Sequence, residues 1–343
     1  MILVTGATGF LGHNLCKRLT HQGYALRALA RPSSHTLFLE ELGVEIAIGD
    51  VRDQASVQAA MAGCEAVIHA AARFRLWGPP ETFEDINLWG TRNVLASAYR
   101  LRIKRFVHIS SIIVVGPQPP GTVITDDTPY GPYHGDNYAR TKMGGERLAL
   151  SYAEVGLPVI VLRLGALYGP WGAYAFNRLF FEEFLRGWCV QVHHGRHITF
   201  PCYVDDAAAA IQAALTRGRI GQVYNVSGRS ISHREANQVV SRLAGKSNWR
   251  LNIPGSVMVN VARLLEFIAL FTRREPFYPL NLAPYVFDDW VVDSKKAQRE
   301  LGFQPIPFEE GARRTLDWYQ SRSSQKGGSN DRQPQHLTPQ HRP

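Results

Sequence analysis

Tyr138 and Lys142 stand four residues apart in the run Tyr138-Ala139-Arg140-Thr141-Lys142, a spacing that puts both side chains on one face of a helix. A free tyrosine titrates near ~10. An ammonium beside the phenol stabilises the phenolate and brings proton exchange with a substrate alcohol or carbonyl toward working pH. Ser111, ending an apolar run, would donate a hydrogen bond to the same substrate oxygen. Alone the Tyr-x-x-x-Lys spacing is weak, because exposed helices produce it often. It gains force from its place in the chain, behind Ser110-Ser111 and a glycine-rich opening.

That opening is Thr5-Gly6-Ala7-Thr8-Gly9-Phe10-Leu11-Gly12. Gly6 permits a tight turn, Gly9 lets backbone N–H groups approach a pyrophosphate, and Gly12 allows close packing of helix on strand. The helix that follows would aim its unpaired N–H groups at the anion. Gly6, Thr8, Gly9, Phe10, Leu11 and Gly12 are therefore the expected phosphate-side contacts. An NAD site usually carries an acidic residue at the end of its second strand. Here Leu29-Ala30-Arg31-Pro32 occupies that place, and a guanidinium binds a 2′-phosphate that a carboxylate would repel. The expectation is preference for NADP(H), with NAD(H) also usable, Arg31 discriminating and Arg27 a weaker candidate. Asp50 and Val51 would meet the adenine, unless Asp50 caps the helix beginning near Asp53. Ala70, Ala71 and Ala72 are small enough for a ribose to lie close to backbone.

The elements needed to position these groups are legible as alternation. Apolar runs at Ile2–Thr5, Tyr24–Ala30, Val44–Ile48, Ala66–Ala70, Arg105–Ser110 and Leu157–Leu164 read as strands. Helical patterns around Ser56–Met61 and Asn87–Leu101, and after Asp136, lie between them. The fold class is therefore α/β, a Rossmann-type doubly wound parallel sheet. After Gly169 aromatics cluster, a strand is expected at Val223–Val226, and helices at Asp205–Leu215, His233–Ala244, Ser256–Thr272 and Pro307–Tyr319. The expected division is residues 1–170 as the dinucleotide-binding domain, with later returns to the sheet. Residues 171–320 would form a smaller, mostly helical, partly interleaved substrate region, and 321–343, poor in large aliphatics, a disordered tail.

The chain has 343 residues, 45% of them apolar and 20% charged, which excludes a mostly disordered protein. Four scattered cysteines without a C-x-x-C pair argue against a disulfide framework or a zinc site. Of the net charge of +9, a third falls in the last stretch and no dense basic run remains, so no nucleic-acid partner is expected. The apolar start passes directly into the glycine turn, unlike an export signal. The expected setting is cytoplasmic.

Taken together, Thr5–Gly12, Asp50-Val51, His69–Ala72, Asn87 with Gly90-Thr91, Ser110-Ser111, Tyr138 with Lys142, and Tyr203-Val204-Asp205-Asp206 resemble the extended short-chain dehydrogenase/reductases over residues 1–320. The resemblance implies Tyr138 as acid/base, Lys142 as its pKa-lowering, ribose-binding partner and Ser111 as the group orienting the substrate oxygen. It also implies Asn87 near the active-site end of the cofactor, and a homodimer. Arg163-Leu164 stands where that family more often has Arg-Pro. The stretch from Ser110-Ser111-Ile112 to Val115-Gly116-Pro117 is similar to 3β-hydroxysteroid dehydrogenases, and Phe74–Trp77 with Asn87–Asn93 to dihydroflavonol-reductase-like branches. Dehydratases of this family follow the serine with Asp-Glu; Ile112-Ile113 here argues against dehydration.

Phe74, Leu76, Trp77, Trp171, Tyr174 and Phe176 crowd the expected substrate side, favouring an apolar, ring-containing or acyl small molecule. The reading is hydride exchange with a secondary alcohol or ketone carbon. The alternative is a nucleotide-sugar epimerase, whose diphosphate Arg178, Arg186, Arg196 or Arg234 would bind. His193, His194 and His197 read as loop histidines and no metal is expected. Ser256–Thr272 falls short of the ~20 apolar residues that span a bilayer, and Arg263 and Glu266 share a face on which they can pair. The favoured reading is an amphipathic helix over the substrate cleft; the other is weak association with a membrane surface.

Overall fold

The computed structural model describes residues 1–132 and 135–328. Seven parallel strands form one sheet, ordered Val223–Val226, Val159–Leu164, Arg105–Ser111, Ala66–His69, Ile2–Thr5, Leu26–Ala30, Glu45–Ile48. The order reverses at Ile2–Thr5, so a crevice opens at the carboxyl ends of that strand and its neighbour Ala66–His69. Crevices of this kind are where ligands bind in open α/β sheets.

Period-two burial explains the layering. Ile2 and Val4 point into one core with Leu15, Leu19 and Ile211, while Leu3 points into the other with Val67, Val94, Leu95 and Phe106. Every residue of Val159–Leu164 is buried, as a strand covered on both faces must be. The later chain returns to the sheet as expected. Ala207 and Ile211 of helix Val204–Arg217, with Ala297 and Leu301 of helix Lys295–Leu301, pack into the first core.

Three stretches differ from the sequence expectation. The helix expected over Asn87–Leu101 is preceded by a turn at Pro80–Phe83 and a π-helical segment Glu84–Gly90, and becomes α-helical only at Thr91–Arg100. The substrate region is less purely helical than expected. It holds two-stranded pairings of Ala166–Tyr168 with Pro201–Tyr203, and of Val190–Val192 with Leu251–Ile253. Strands of three residues are too short to show a period.

The closing helix Phe308–Gly328 runs eight residues into the stretch expected to be disordered. Ala312 and Leu316 anchor it in the aromatic core of the substrate region, and an anchored helix extends one hydrogen bond at a time without new nucleation. The remaining part of that expected tail, 329–343, lies outside the described residues.

Candidate active site

Strand Ile2–Thr5 delivers the glycine loop to the crevice, and its packing leaves no room for side chains. Gly6 has φ +75°, and a Cβ there would lie 2.7 Å from the Ala71 nitrogen. At Gly12 a Cβ would lie 2.2 Å from the Gly6 carbonyl oxygen. Helix Phe10–His21 starts at Gly9 with no side-chain cap and no acidic residue in its first turn. Its first N–H groups and partial positive charge are left for an anion. These residues fit the pyrophosphate of a dinucleotide.

One continuous cleft is lined by Gly6, Thr8, Gly9, Phe10, Leu11, Gly12, Arg31, Asp50, Val51, Ala70, Ala71, Ala72, Ser111, Tyr138 and Lys142. Arg31 ends the second strand, exposed, and its guanidinium makes no hydrogen bond or ion pair among the described residues. Arg27 is elsewhere. It pairs with Glu45 at 2.8 Å and donates to the carbonyls of Ala60 and Ala62, so it is removed as a phosphate ligand. Asp50 receives Arg52, whose guanidinium nitrogens lie 2.8 and 3.1 Å away and whose N–H lies 2.9 Å away. These bonds hold its carboxyl below the usual range. The helix cap there is Asp53, which accepts the Ala55 N–H.

Asn87 is the one expected contact that does not line the cleft. It is buried, its Oδ1 accepting the Arg73 N–H at 2.7 Å and its Nδ2 donating to Thr141 Oγ1 at 3.0 Å. It ties the loop after Ala66–His69 to the helix that carries Tyr138. A directional chain continues from it. The Ala71 N–H donates to Thr5 Oγ1, Thr5 Oγ1 donates to His69 Nδ1 at 2.8 Å, His69 Nε2 donates to Thr91 Oγ1 at 2.9 Å, and Thr91 Oγ1 donates to the Asn87 carbonyl. Only a neutral imidazole protonated on Nε2 satisfies every member. Burial, aided by the nearby Lys142 charge, pushes His69 down to about 3.

A pH dependence follows. The unfolded chain binds a proton on His69 near ~6.5, whereas the folded chain resists until about 3. This contribution is complete above the unfolded value and is lost as pH falls from there toward the folded one. Urea midpoints are expected to decline across that window. His69→Asn, less stable at neutral pH, should decline less steeply; equal slopes would remove His69 as the cause.

Helix Asn137–Glu154 begins where Asp136 Oδ1 accepts the Tyr138 and Ala139 N–H groups, at 2.9 and 3.1 Å. Asp136 Oδ2 accepts the Tyr285 hydroxyl at 3.1 Å, hooking the substrate region to the start of this helix. Tyr138 faces the cleft with its ring 4.8 Å from that of Phe74. Its hydroxyl makes no hydrogen bond among the described residues. Lys142, one turn on, donates to the Ile109 carbonyl at 2.5 Å. The electrostatics differ from the simple expectation. Burial, with the Asp136 charge, pushes the Tyr138 phenol above its ordinary value, and burial draws the Lys142 ammonium down to about 8. The phenol is therefore protonated at neutral pH. Ser111 Oγ has only a 3.5 Å approach to the Leu164 carbonyl, which leaves it available to a ligand.

Behind this face lies a group not identified from the sequence. Glu146 is fully buried, paired with Arg163 at 2.7 Å, and accepts from Tyr130 and from Ser110 Oγ. The available signals were the continuation of the 138/142 spacing to 146, and an arginine inside an otherwise apolar buried strand. Arg163-Leu164 thereby keeps the strand ladder intact, Leu164 pairing with Ser111 and Val226.

The substrate end is apolar with a polar clasp. Tyr174 donates to Glu275, accepts the Leu76 N–H at 3.0 Å, and meets Phe74 edge-on. Arg75 approaches Glu275 at 3.5 Å. Of the four arginines considered for a diphosphate, only Arg178 lines the cleft, and it faces Glu183 at 3.2 Å. Arg186 pairs with Glu182, and Arg234 donates to the His194 carbonyl. His193 and His197 hydrogen-bond each other, and His197 reaches Asp289 at 3.2 Å.

Residues 2–227 match the family model described as the NAD dependent epimerase/dehydratase family. The chain is 32% identical over 332 residues to sterol demethylase protein B of Methylococcus capsulatus, covering 93% of this chain and 98% of that protein. It is 30% identical over 356 residues to human 3 beta-hydroxysteroid dehydrogenase type 7, covering 93% and 95%. The crystal structure of gox2253 superposes with a TM-score of 0.80 at 28% identity, covering 94% and 98%.

Proposed function

The chain belongs to the NAD-dependent epimerase/dehydratase family, and from that premise we propose that it is an NADP(H)-preferring reductase of a ketone on an apolar, ring-containing or acyl substrate. The observation that carries this reading is the Tyr138 hydroxyl. It makes no hydrogen bond among the described residues, burial holds it above its ordinary value and so protonated, and it lines the same cleft as the glycine loop, its ring beside Phe74. A protonated phenol is the form required to donate, which is the reductive direction.

The cofactor would lie along the glycine loop, its pyrophosphate on the N-terminus of Phe10–His21, its adenosine end at Arg31, Asp50 and Val51, and a ribose at Lys142. Its nicotinamide supplies or accepts the hydride at the substrate carbon. The chain's own residues do the rest. Ser111 and Tyr138 orient the carbonyl oxygen, and Tyr138 gives it a proton as negative charge develops there. The Lys142 cation, one helical turn on from Tyr138 in the same cleft, would stabilise the phenolate left behind. Phe74 and Tyr174 exclude water from the reacting carbon. The names of two relatives refer to a sterol and to a hydroxysteroid, which supports an apolar fused-ring substrate.

The test is a panel of steroid-like, flavonoid-like and β-keto acyl ketones against UDP-sugars, followed at the nicotinamide absorbance. NADPH oxidation with an apolar ketone is expected. Conversion of a UDP-sugar without net NADPH consumption would overturn the reading in favour of epimerisation.

Arg31 carries the coenzyme preference. A bidentate, charge-assisted contact is worth about 1.5–3 kcal/mol, so Arg31→Asp should lower the NADPH:NADH ratio of kcat/KM by about 10- to 100-fold. An unchanged ratio would remove Arg31 from that role.

A further inference from the structure

Helix Gly255–Thr272 presents its apolar side outward. Ala262 and Ala269 form the buried side, and on a 3.6-residue repeat the opposite side carries Val257, Val261, Leu264, Phe267, Ile268 and Phe271. Leu264 and Phe267 are each 58% exposed and Phe271 75%. Arg263 and Glu266 do not pair. Arg263 leans on Asn260, while Glu266 turns inward and accepts the Leu280 N–H at 2.8 Å. The helix is thus pinned to the protein along one side and bare along the other. A contiguous stripe of this kind on a soluble surface marks an interaction site.

We propose that this stripe seats the enzyme on the surface of an anionic lipid bilayer, with the helix lying in the interface and the cleft mouth held against it. Three features select lipid. Arg273 and Arg274 follow the stripe at the mouth of the cleft, exposed and without side-chain ion pairs among the described residues; such cations favour anionic headgroups. Trp188 and Trp249, 61% and 68% exposed, precede the paired strands Val190–Val192 and Leu251–Ile253, the second of which leads into the helix, and Trp188 packs on Phe277; indoles favour the headgroup level. The third is a route inward. A pocket beneath the helix, lined by Met258, Val259 and Ala262, shares Phe180 and Leu282 with the main cleft. The helix does not span the bilayer, because its Ala262/Ala269 side and Glu266 are tied to the fold. Docking does not require the substrate reading, since the exposed stripe, the arginine pair and the indoles carry it and the route inward only adds to them.

The experiment is co-sedimentation of the full chain with sucrose-loaded vesicles of phosphatidylcholine and phosphatidylglycerol (3:1), beside pure phosphatidylcholine. Binding to the mixed vesicles is expected, weakened about tenfold without the anionic lipid and released by an alkaline carbonate wash. Phe267→Glu combined with Phe271→Glu should reduce binding at least tenfold with an unchanged melting temperature. Failure of the wild-type chain to bind, equal binding by the double variant, or retention through the carbonate wash would overturn the proposal. So would a wild-type dimer that the double variant converts to monomer while neither binds vesicles; the stripe would then cover a second copy.

Discussion

Tyr138→Phe is expected to lower kcat for ketone reduction by roughly 10²- to 10⁴-fold, the usual contribution of a positioned acid or base. NADPH affinity should stay within about threefold, because the phosphate-side contacts come from the glycine loop and Arg31, not from this phenol. The structure makes the substitution unusually clean. The Tyr138 hydroxyl makes no hydrogen bond among the described residues, so its removal orphans no partner, and the ring keeps its contact with Phe74. The melting temperature should therefore hold while turnover is lost. The pH profile gives an independent check. Because burial and Asp136 hold the phenol above its ordinary value while burial draws the Lys142 ammonium down to about 8, reduction should be flat through neutrality and fall on the alkaline side, first as Lys142 loses its charge and then as the phenol loses the proton to be donated. A variant that keeps more than a tenth of the wild-type kcat would show that another group supplies the proton.

Much of this site was legible because its signals are local. The glycine loop declares itself through Gly6 and Gly12, where steric contacts of 2.7 and 2.2 Å forbid a side chain, and the parallel sheet with its covering helices follows from βαβ alternation, though its strand order does not. What escaped is what depends on residues far apart in the chain. Asn87 was expected beside the cofactor, but its amide meets Arg73 and Thr141, and nothing near position 87 announces those partners. The lowering of the Tyr138 phenol by Lys142 was expected from spacing alone. Desolvation, a property of the packed fold, works in the opposite direction and, with the Asp136 charge, raises the phenol instead. The outward face of Gly255–Thr272 is a similar case. Apolar composition reveals that a helix is amphipathic or buried, and only the packing of Ala262 and Ala269 decides which side meets solvent.

The largest expected effect on stability lies behind the catalytic face. Arg163→Met leaves the fully buried Glu146 carboxylate without its cation, a change that typically costs about 3–5 kcal/mol. Tyr130 and Ser110 still donate to that carboxylate, so the charge is solvated in part, which places the cost at the lower end of that range. Urea unfolding should register it as a fall in midpoint at unchanged slope. Replacing both partners, Arg163→Met with Glu146→Met, removes the orphaned charge and should recover a large part of the loss, because two apolar side chains fill similar volume. The double-mutant cycle therefore separates ion pairing from packing. Activity provides a second readout. Glu146 opposes the desolvation of Lys142, so Glu146→Gln should draw that ammonium further down and shift the lysine-dependent limb of the rate profile toward acid. If Arg163→Met costs less than about 1 kcal/mol, a figure nearer to that of an exposed pair, the buried network is not what holds the helix of Tyr138 and Lys142 against the strand that ends at Ser111.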